Sequence, residues 1–297
     1  MPATDDTLRF QQIHIDVARN ATDDFNPFHD KHRWQNVADN PFAGPIALGF
    51  QLECLIAEQM RRYREDHEET ELLAQEGLQF SNYEFKFVNA VKAGQEVTLT
   101  TKDSRFRDGD NPTLANRVSL YADGRLAVTG YKRESRYPPC QTEIDLSELP
   151  ALDSAQDRAF LGDTDIFLKR KYMTTSNAKN FLCGSLVEQS DYIDEIAERV
   201  SFPEMFPCAL LSCALLERAS QQGHDFEREP LVYKSHSISI DRDMLRDLRR
   251  NDSLHLLSRR ANPTSQAQDY ECFGVIGNDR VLFRGRIDLM PLAPGDQ

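Results

Sequence analysis

The segment GPIALGFQLECLIAEQM, residues 44–60, constrains the fold more than any other part of the chain. Proline at its second position suits the first turn of a helix, where an amide hydrogen is not needed. Apolar side chains then occupy nearly every face, so this helix belongs inside a core. From Arg61 the chain turns charged, RRYREDHEETE, and the helix is expected to emerge into water there. Strand patterns follow. NYEFKFVNAVKAGQEVTLTT (82–101) alternates and turns at Ala93-Gly94, and TLANRVSLYADGRLAVTGYKRES (113–135) reads as a hairpin around Asp123-Gly124. A long buried helix followed by antiparallel strands makes an α+β unit in which the sheet wraps the helix.

The same order returns later. FPCALLSCALLERASQQG (206–223) is a second apolar stretch that starts with proline and ends polar, and EPLVYKSHSISID (229–241) follows as a strand. Pro41 and Pro45 have the same separation as Pro203 and Pro207, an offset of 162, and DGRLAVTG (123–130) matches NDRVLFRG (278–285) at an offset of 155. A chain of 297 residues has room for about two such units. The stretch YPPCQTEIDLSELPALDSAQD (137–157), rich in proline and acid, separates them. The expected organisation is an internal two-fold repeat: a first unit at 1–140, a linker at 141–157 and a second unit at 158–297.

Charge narrows the partners. The net charge of −13 would repel a phosphate backbone, so nucleic acid is not an expected partner. No apolar run approaches the ~20 residues needed to cross a bilayer. The opening MPATDDTLRF carries no basic-then-apolar signal, and a cytoplasmic protein is expected. The six cysteines form no metal-ligand spacing, and Cys54, Cys208 and Cys213 fall in apolar helical patterns where thiols serve as small core residues.

Candidate chemistry is concentrated in DDFNPFHD, Asp23 to Asp30. Residues 13–22 have weak helical spacing, and the chain breaks at Asn26-Pro27 because proline disfavours helical geometry in the residue before it. Asp24 and His29 flank that turn, which can bring their side chains together. A carboxyl group beside an imidazole offers an acid and a base that exchange roles near neutral pH. An Asx-Pro turn with a capping Asp24 and a surface His29 would explain the same residues without chemistry.

TDDFNPFHD resembles the motif Ser-Gly-Asp-x-Asn-Pro-x-His of the MaoC-like, (R)-specific enoyl-CoA hydratases. NPFAGPIALGF resembles that family's Pro-Ile-Ala-His-Gly segment at a helix start. FKFVNAVKAGQEVTL and GRLAVTGYKRES resemble two of its strands, so the likeness spans about residues 10–135. The family fold is the hotdog, an antiparallel sheet wrapped around one long helix, and the resemblance implies a double hotdog here. It implies that Asp24 and His29 grip one water molecule for addition to an enoyl thioester, or its loss from a 3-hydroxyacyl thioester. It implies that Asn26 holds this loop, and that the Gly49 N–H receives the thioester oxygen. A helix N-terminus has the free donors and partial positive charge for that task.

Two positions depart from the family pattern. Its glycine before the catalytic acid is Asp23, and its histidine before the oxyanion glycine is Leu48. The second half holds no copy of the motif, and Leu211 stands where the 162 offset would place Gly49. One active site per chain is therefore expected, with the second hotdog lining the acyl tunnel. The implied activity is that of a hydro-lyase with no cofactor. Its partner would be an acyl thioester of coenzyme A or acyl carrier protein, and pairing of chains into a homodimer of double hotdogs is compatible with this form. A non-catalytic acyl-thioester-binding or assembly protein is the alternative. An acyl thioesterase using Glu53 or Glu58 is a further one, with Glu53 expected to face a polar seam.

The remaining polar residues attract blander readings. His29 and His32 with Asp30 lack a third ligand at helical spacing, so no metal is expected. His236, alternating with apolar residues in YKSHSISI, is expected on a sheet surface, and Trp34 is expected to pack beneath the loop. His14, His67, His224 and His255 have no partner apparent in the sequence.

Overall fold

The structure, a computed structural model, describes residues 8–292 except 141, 263 and 266. The first half runs β1 (Leu8–Arg9), α1 (Gln12–Thr22), α2 (Gly49–Asp66), α3 (Thr70–Gln75), β2 (Phe80–Phe87), β3 (Glu96–Thr101), β4 (Arg105–Arg107), β5 (Thr113–Ala122) and β6 (Arg125–Ser135). The second begins with β7 (Ala159–Phe160), β8 (Phe167–Tyr172), α4 (Thr175–Gly184), β9 (Ile193–Asp194), β10 (Arg199–Val200), α5 (Met205–Ala209) and α6 (Leu211–Gln221). It closes with β11 (Leu231–Asp241), α7 (Arg242–Asp247), β12 (Ser253–Arg260), β13 (Gln268–Ile276) and β14 (Arg280–Pro291).

Both halves build one sheet. Its order is β1-β3-β5-β6-β2-β11-β14-β13-β12-β8-β7, with β4 beside β5. Reading outward from the central β2–β11 pair, β6 answers β14, β5 answers β13, β3 answers β12 and β1 answers β8. The matched stretches of sequence fall in register with this symmetry, since β6 starts at Arg125 and β14 at Arg280, an offset of 155. The expected hairpin at Asp123-Gly124 is the β5–β6 turn, with positive φ at both residues (47° and 75°). Alternation along β5 sends Val118 and Leu120 inward, where the sheet folds over α2, α5 and α6, and Leu114 onto a smaller cluster with Leu73 and Leu78. The architecture is α+β, two helix-and-sheet units joined edge to edge.

Two helix boundaries differ from the sequence expectation. Pro45 lies outside α2, which starts at Gly49. The preceding residues are held extended because the Ile46 N–H donates to Phe28 O (3.1 Å) and the Ala47 N–H to Val91 O (2.8 Å). At its far end α2 continues to Asp66. Arg61 and Arg62 pair with Glu58, and Arg61 also with Glu65, one helical turn apart. In the second half a single helix is replaced by α5 and α6. Pro207 lies in the first turn of α5, where its missing amide hydrogen is not needed, and the two helices meet at Leu210 (φ −66°, ψ −12°). After this junction α6 begins at Leu211, in step with Gly49 at the start of α2.

Between β6 and β7, Leu152 packs with Leu257, Phe273 and Val275 on the second half's part of the sheet, joined by Ile144, Leu146 and Leu149. Helices α1 and α4 meet across the halves. A methyl group on Gly184 would stand 2.7 Å from the Ala18 Cβ, so only glycine permits this approach. Among the described residues no helix is long and apolar enough to cross a membrane.

Candidate active site

The loop after α1 is shaped by its own short polar side chains. Helix α1 ends where Asp23 turns left-handed (φ 53°) and the Asp24 N–H reaches back to Arg19 O (3.0 Å). That turn is usually given to glycine, and aspartate is among the few other residues that tolerate it. Asn26 then organises the tight turn Pro27–His29. Its side-chain oxygen accepts the Phe28 N–H (3.2 Å), while its own N–H donates to Asp24 Oδ1 (3.2 Å). The loop is anchored at both ends. Lys171 of β8 donates to the Asp23 carboxylate, and Arg19 pairs with Asp30 at 2.8 Å. Asp30 also caps the Arg33 and His32 amides, and these hydrogen bonds hold its carboxyl below the usual range.

Within this loop Asp24 and His29 are both buried, and Asp24 Oδ2 faces His29 Nε2 across 3.8 Å. His29 Nδ1 lies 2.8 Å from the carbonyl of Ile46. A carbonyl only accepts, so Nδ1 carries the hydrogen and a neutral ring presents the Nε2 lone pair to Asp24. The gap is too long for a direct hydrogen bond and suits one small bridging molecule that touches both groups.

Asp24, Asn26, His29 and Gly49 line one cavity of about 1160 Å³, at or above the usual size of small-molecule sites. Gly49 is the first residue of α2. Amides in a first helical turn have no carbonyl four residues back, and none accepts the Gly49 N–H among the described residues. Leu48, the residue before it, is buried and apolar, and its N–H is satisfied by Gln51 Oε1 at 3.2 Å. First-half residues Asn89, Lys92, Gln95 and Arg125 give part of the cavity a polar rim. Leu215, Leu216, Leu231, Val232 and Leu289, from the second half, line the rest with hydrocarbon.

No family model matches the sequence, and no curated protein matches it. The likeness lies among solved structures. A MaoC-like dehydratase superposes with a TM-score of 0.58 at 10% identity, over 98% of this chain and 97% of that one. A conserved hypothetical protein from Mycobacterium tuberculosis, described as having a double hotdog fold, gives 0.57 at 12% identity over 96% and 93%. A putative MaoC domain protein dehydratase from Chloroflexus aurantiacus J-10-fl gives 0.56 at 8% identity over 99% and 100%. The chain is a double hotdog. At these identities the likeness concerns the fold.

The second unit of this double hotdog brings polar groups to the cavity that sequence reasoning missed. Tyr233 of β11 and Ser212 of α6 both line it, with their hydroxyls 2.8 Å apart. Burial, and then the Asp24 carboxylate, push the Tyr233 phenol well above its usual pKa. Phe87 and Tyr233 lie against Gly49, where an added Cβ would stand 3.0 Å from Tyr233 Cδ2 and 3.1 Å from Phe87 Cζ.

His236 corrects an expectation. It is fully buried rather than on a sheet surface, with Nδ1 at 3.1 Å from both carboxyl oxygens of Glu53. Its parity in β11 places it inside because the sheet curls over α2 at this seam. Glu53 meets that imidazole and does not line the cavity. Glu58, midway along α2, is engaged by Arg61, Arg62 and Tyr192. Cys54, Cys208 and Cys213 are buried, and burial pushes all three thiols up, Cys54 to about 12. His32 is exposed and Trp34 is half-buried, short of the full packing expected of it. Among the remaining histidines His255 is buried, with Arg170 and Asp153 at 3.2 and 3.4 Å.

Proposed function

We propose that this double hotdog is an (R)-specific enoyl-thioester hydratase, equally a 3-hydroxyacyl-thioester dehydratase, acting on acyl groups carried by coenzyme A or acyl carrier protein. The observation that carries this reading is the buried 3.8 Å gap between Asp24 Oδ2 and His29 Nε2, open to the cavity that Gly49 also lines. A water in that gap donates to both groups and turns a lone pair toward C3 of the enoyl chain. As its oxygen bonds to C3, one member of the pair takes a water proton and then, acting as acid, gives that proton to C2, so both groups recover their starting state. Charge that builds on the thioester oxygen is received by the Gly49 N–H and the positive end of α2. Dehydration reverses each step.

The wall chemistry supports a thioester substrate. Hydrocarbon from the second unit suits an acyl chain, and Lys92 and Arg125 suit the phosphate-bearing end of a carrier. Asp23, in the place of the family's glycine, does not crowd the pair with a second charge, since its carboxylate is turned toward Lys171. The engagement of Glu53 by His236 weighs against a thioesterase acting through that residue. The resemblance of the loop motif is the ground for (R) stereochemistry.

The test follows enoyl-thioester absorbance with coenzyme A substrates of short, medium and long chain, and resolves the enantiomer formed. The unaltered protein is expected to hydrate at least one chain length. Asp24→Asn and His29→Ala should each lose ~10²-fold or more of that rate, the usual worth of a positioned acid or base. Thioester binding without turnover at any length would favour the non-catalytic binding protein, and release of free thiol would favour the thioesterase.

A further inference from the structure

We propose that Tyr233 is a third catalytic residue of this site, donating its phenolic hydrogen to the substrate's thioester oxygen beside the Gly49 N–H, with Ser212 as its positioning residue. The inference rests on the hydratase reading above and deepens it.

Its first support is a count of protons. Tyr233 Oη and Ser212 Oγ form one hydrogen bond with each other. The pair owns two hydroxyl hydrogens and spends one on that bond. Among the described residues neither oxygen has another acceptor to serve, so one hydroxyl hydrogen faces whatever fills the cavity. With no protein acceptor, that hydrogen is left for whatever enters the cavity, water or a substrate oxygen.

Backbone geometry is the second support. Along β11 the inward residues are His236, Ile238 and Ile240. Strict alternation would continue this face to Lys234 and turn Tyr233 outward. The pairing with β14 instead steps from Tyr233↔Leu289 to Ser235↔Asp288 and leaves Lys234 unpaired. This bulge reverses the parity, so Lys234 is exposed while Tyr233 shares the inner face with His236, ring centroids 4.4 Å apart.

Location is the third. The ring edge of Tyr233 packs on the Cα of Gly49, at the one turn of α2 with free amides. Leu48 offers no polar side chain there, so a second donor has to come from another element. Burial and the Asp24 charge keep the phenol protonated, which makes it a donor and not a base. In the reaction the phenolic hydrogen stays on Tyr233. It strengthens its hydrogen bond as negative charge moves onto the thioester oxygen and relaxes as C2 is protonated.

The experiment measures kcat and KM for enoyl-CoA hydration by the full chain, by Tyr233→Phe and by Ser212→Ala. Phenylalanine keeps the ring against Gly49, and thermal melting reports whether either variant still folds. Loss of one donor of this kind costs ~10²-fold in kcat, so Tyr233→Phe should show that drop with KM within about threefold. Ser212→Ala should lower kcat by a smaller factor. A Tyr233→Phe variant that keeps kcat within about threefold of the unaltered protein overturns the proposal while leaving the hydratase reading intact. Should Tyr233→Phe not fold, an unchanged kcat in Ser212→Ala overturns it instead. Absence of turnover in the unaltered protein removes the hydratase reading and this inference together.

Discussion

Asp23 sits in a left-handed turn at φ 53°, and its side chain reaches Lys171 in the other half. These two roles can be separated. Asp23→Asn keeps a residue that tolerates the turn and removes the charge, and a pair this exposed is worth at most ~1 kcal/mol. Asp23→Val keeps neither, and a β-branched residue held at positive φ costs an additional ~1–3 kcal/mol. Urea unfolding should show the asparagine variant close to the parent and the valine variant clearly weaker. Equal losses in both would mean that the ion pair, and not the turn, is what this position supplies. Aspartate thus holds the left-handed turn that glycine usually takes, with its carboxylate directed to Lys171.

Helix α2 and strand β11 are joined by the buried Glu53–His236 pair, whose imidazole has Phe50 tilted against it and Phe87 edge-on to it at centroid distances of 4.6 and 4.8 Å. Removing one member strands the other away from water, a loss of ~3–5 kcal/mol. Replacing both with apolar groups of similar size should recover most of it. Glu53→Ala is therefore expected to lower the urea midpoint sharply, and Glu53→Leu with His236→Phe to restore it. A double variant as unstable as the single one would show that the pair is worth more than its burial costs. The same stretch of β11 marks the limit of what the sequence conveys. Asp24 and His29 were legible as neighbours because a local rule, the turn around Pro27, governs them. Gly49 is reached through the motif resemblance, since the residues alone put the helix start at Pro45. Pro207 does sit in the first turn of a helix, but the α5–α6 junction at Leu210 has no proline or glycine to announce it in the sequence. Tyr233 was not legible, because YKSHSISI gives no sign of an inserted residue and simple alternation turns its side chain outward. Ser212 was hidden for a related reason. It lies in an apolar helix, and its partner is known only once β11 is laid beside it.

Across the whole molecule, stability should depend on acid in two stages. Burial pushes His255 below the ordinary 6.5, with Asp153 opposing and Arg170 reinforcing the effect. The neutral ring is the one the fold favours, so this contribution is present above pH 6.5 and shrinks as pH falls through the folded value. Burial alone would raise the Glu134 carboxyl, but Lys132 and Arg64 outweigh it and hold the group at about 2 against an ordinary 4.5. That contribution is full above pH 4.5 and is lost as pH falls toward 2. Melting temperature should therefore slip below pH 6.5 and fall more steeply below 4.5. Glu134→Gln should flatten the lower stage, and an unchanged lower stage in that variant would assign the acid sensitivity to other carboxyls. The seam through the middle of the sheet has a consequence of its own. Strands β2 and β11 saturate each other's backbone along seven matched positions, from Ser235↔Lys86 to Asp241↔Phe80. Parting the two halves would bare both flanks at once, and a strand so uncovered seeks any neighbour of its kind. An orphaned front unit would accordingly mate with its own twin, giving a symmetric impostor that carries two loops like Asp23–Asp30 and no Tyr233.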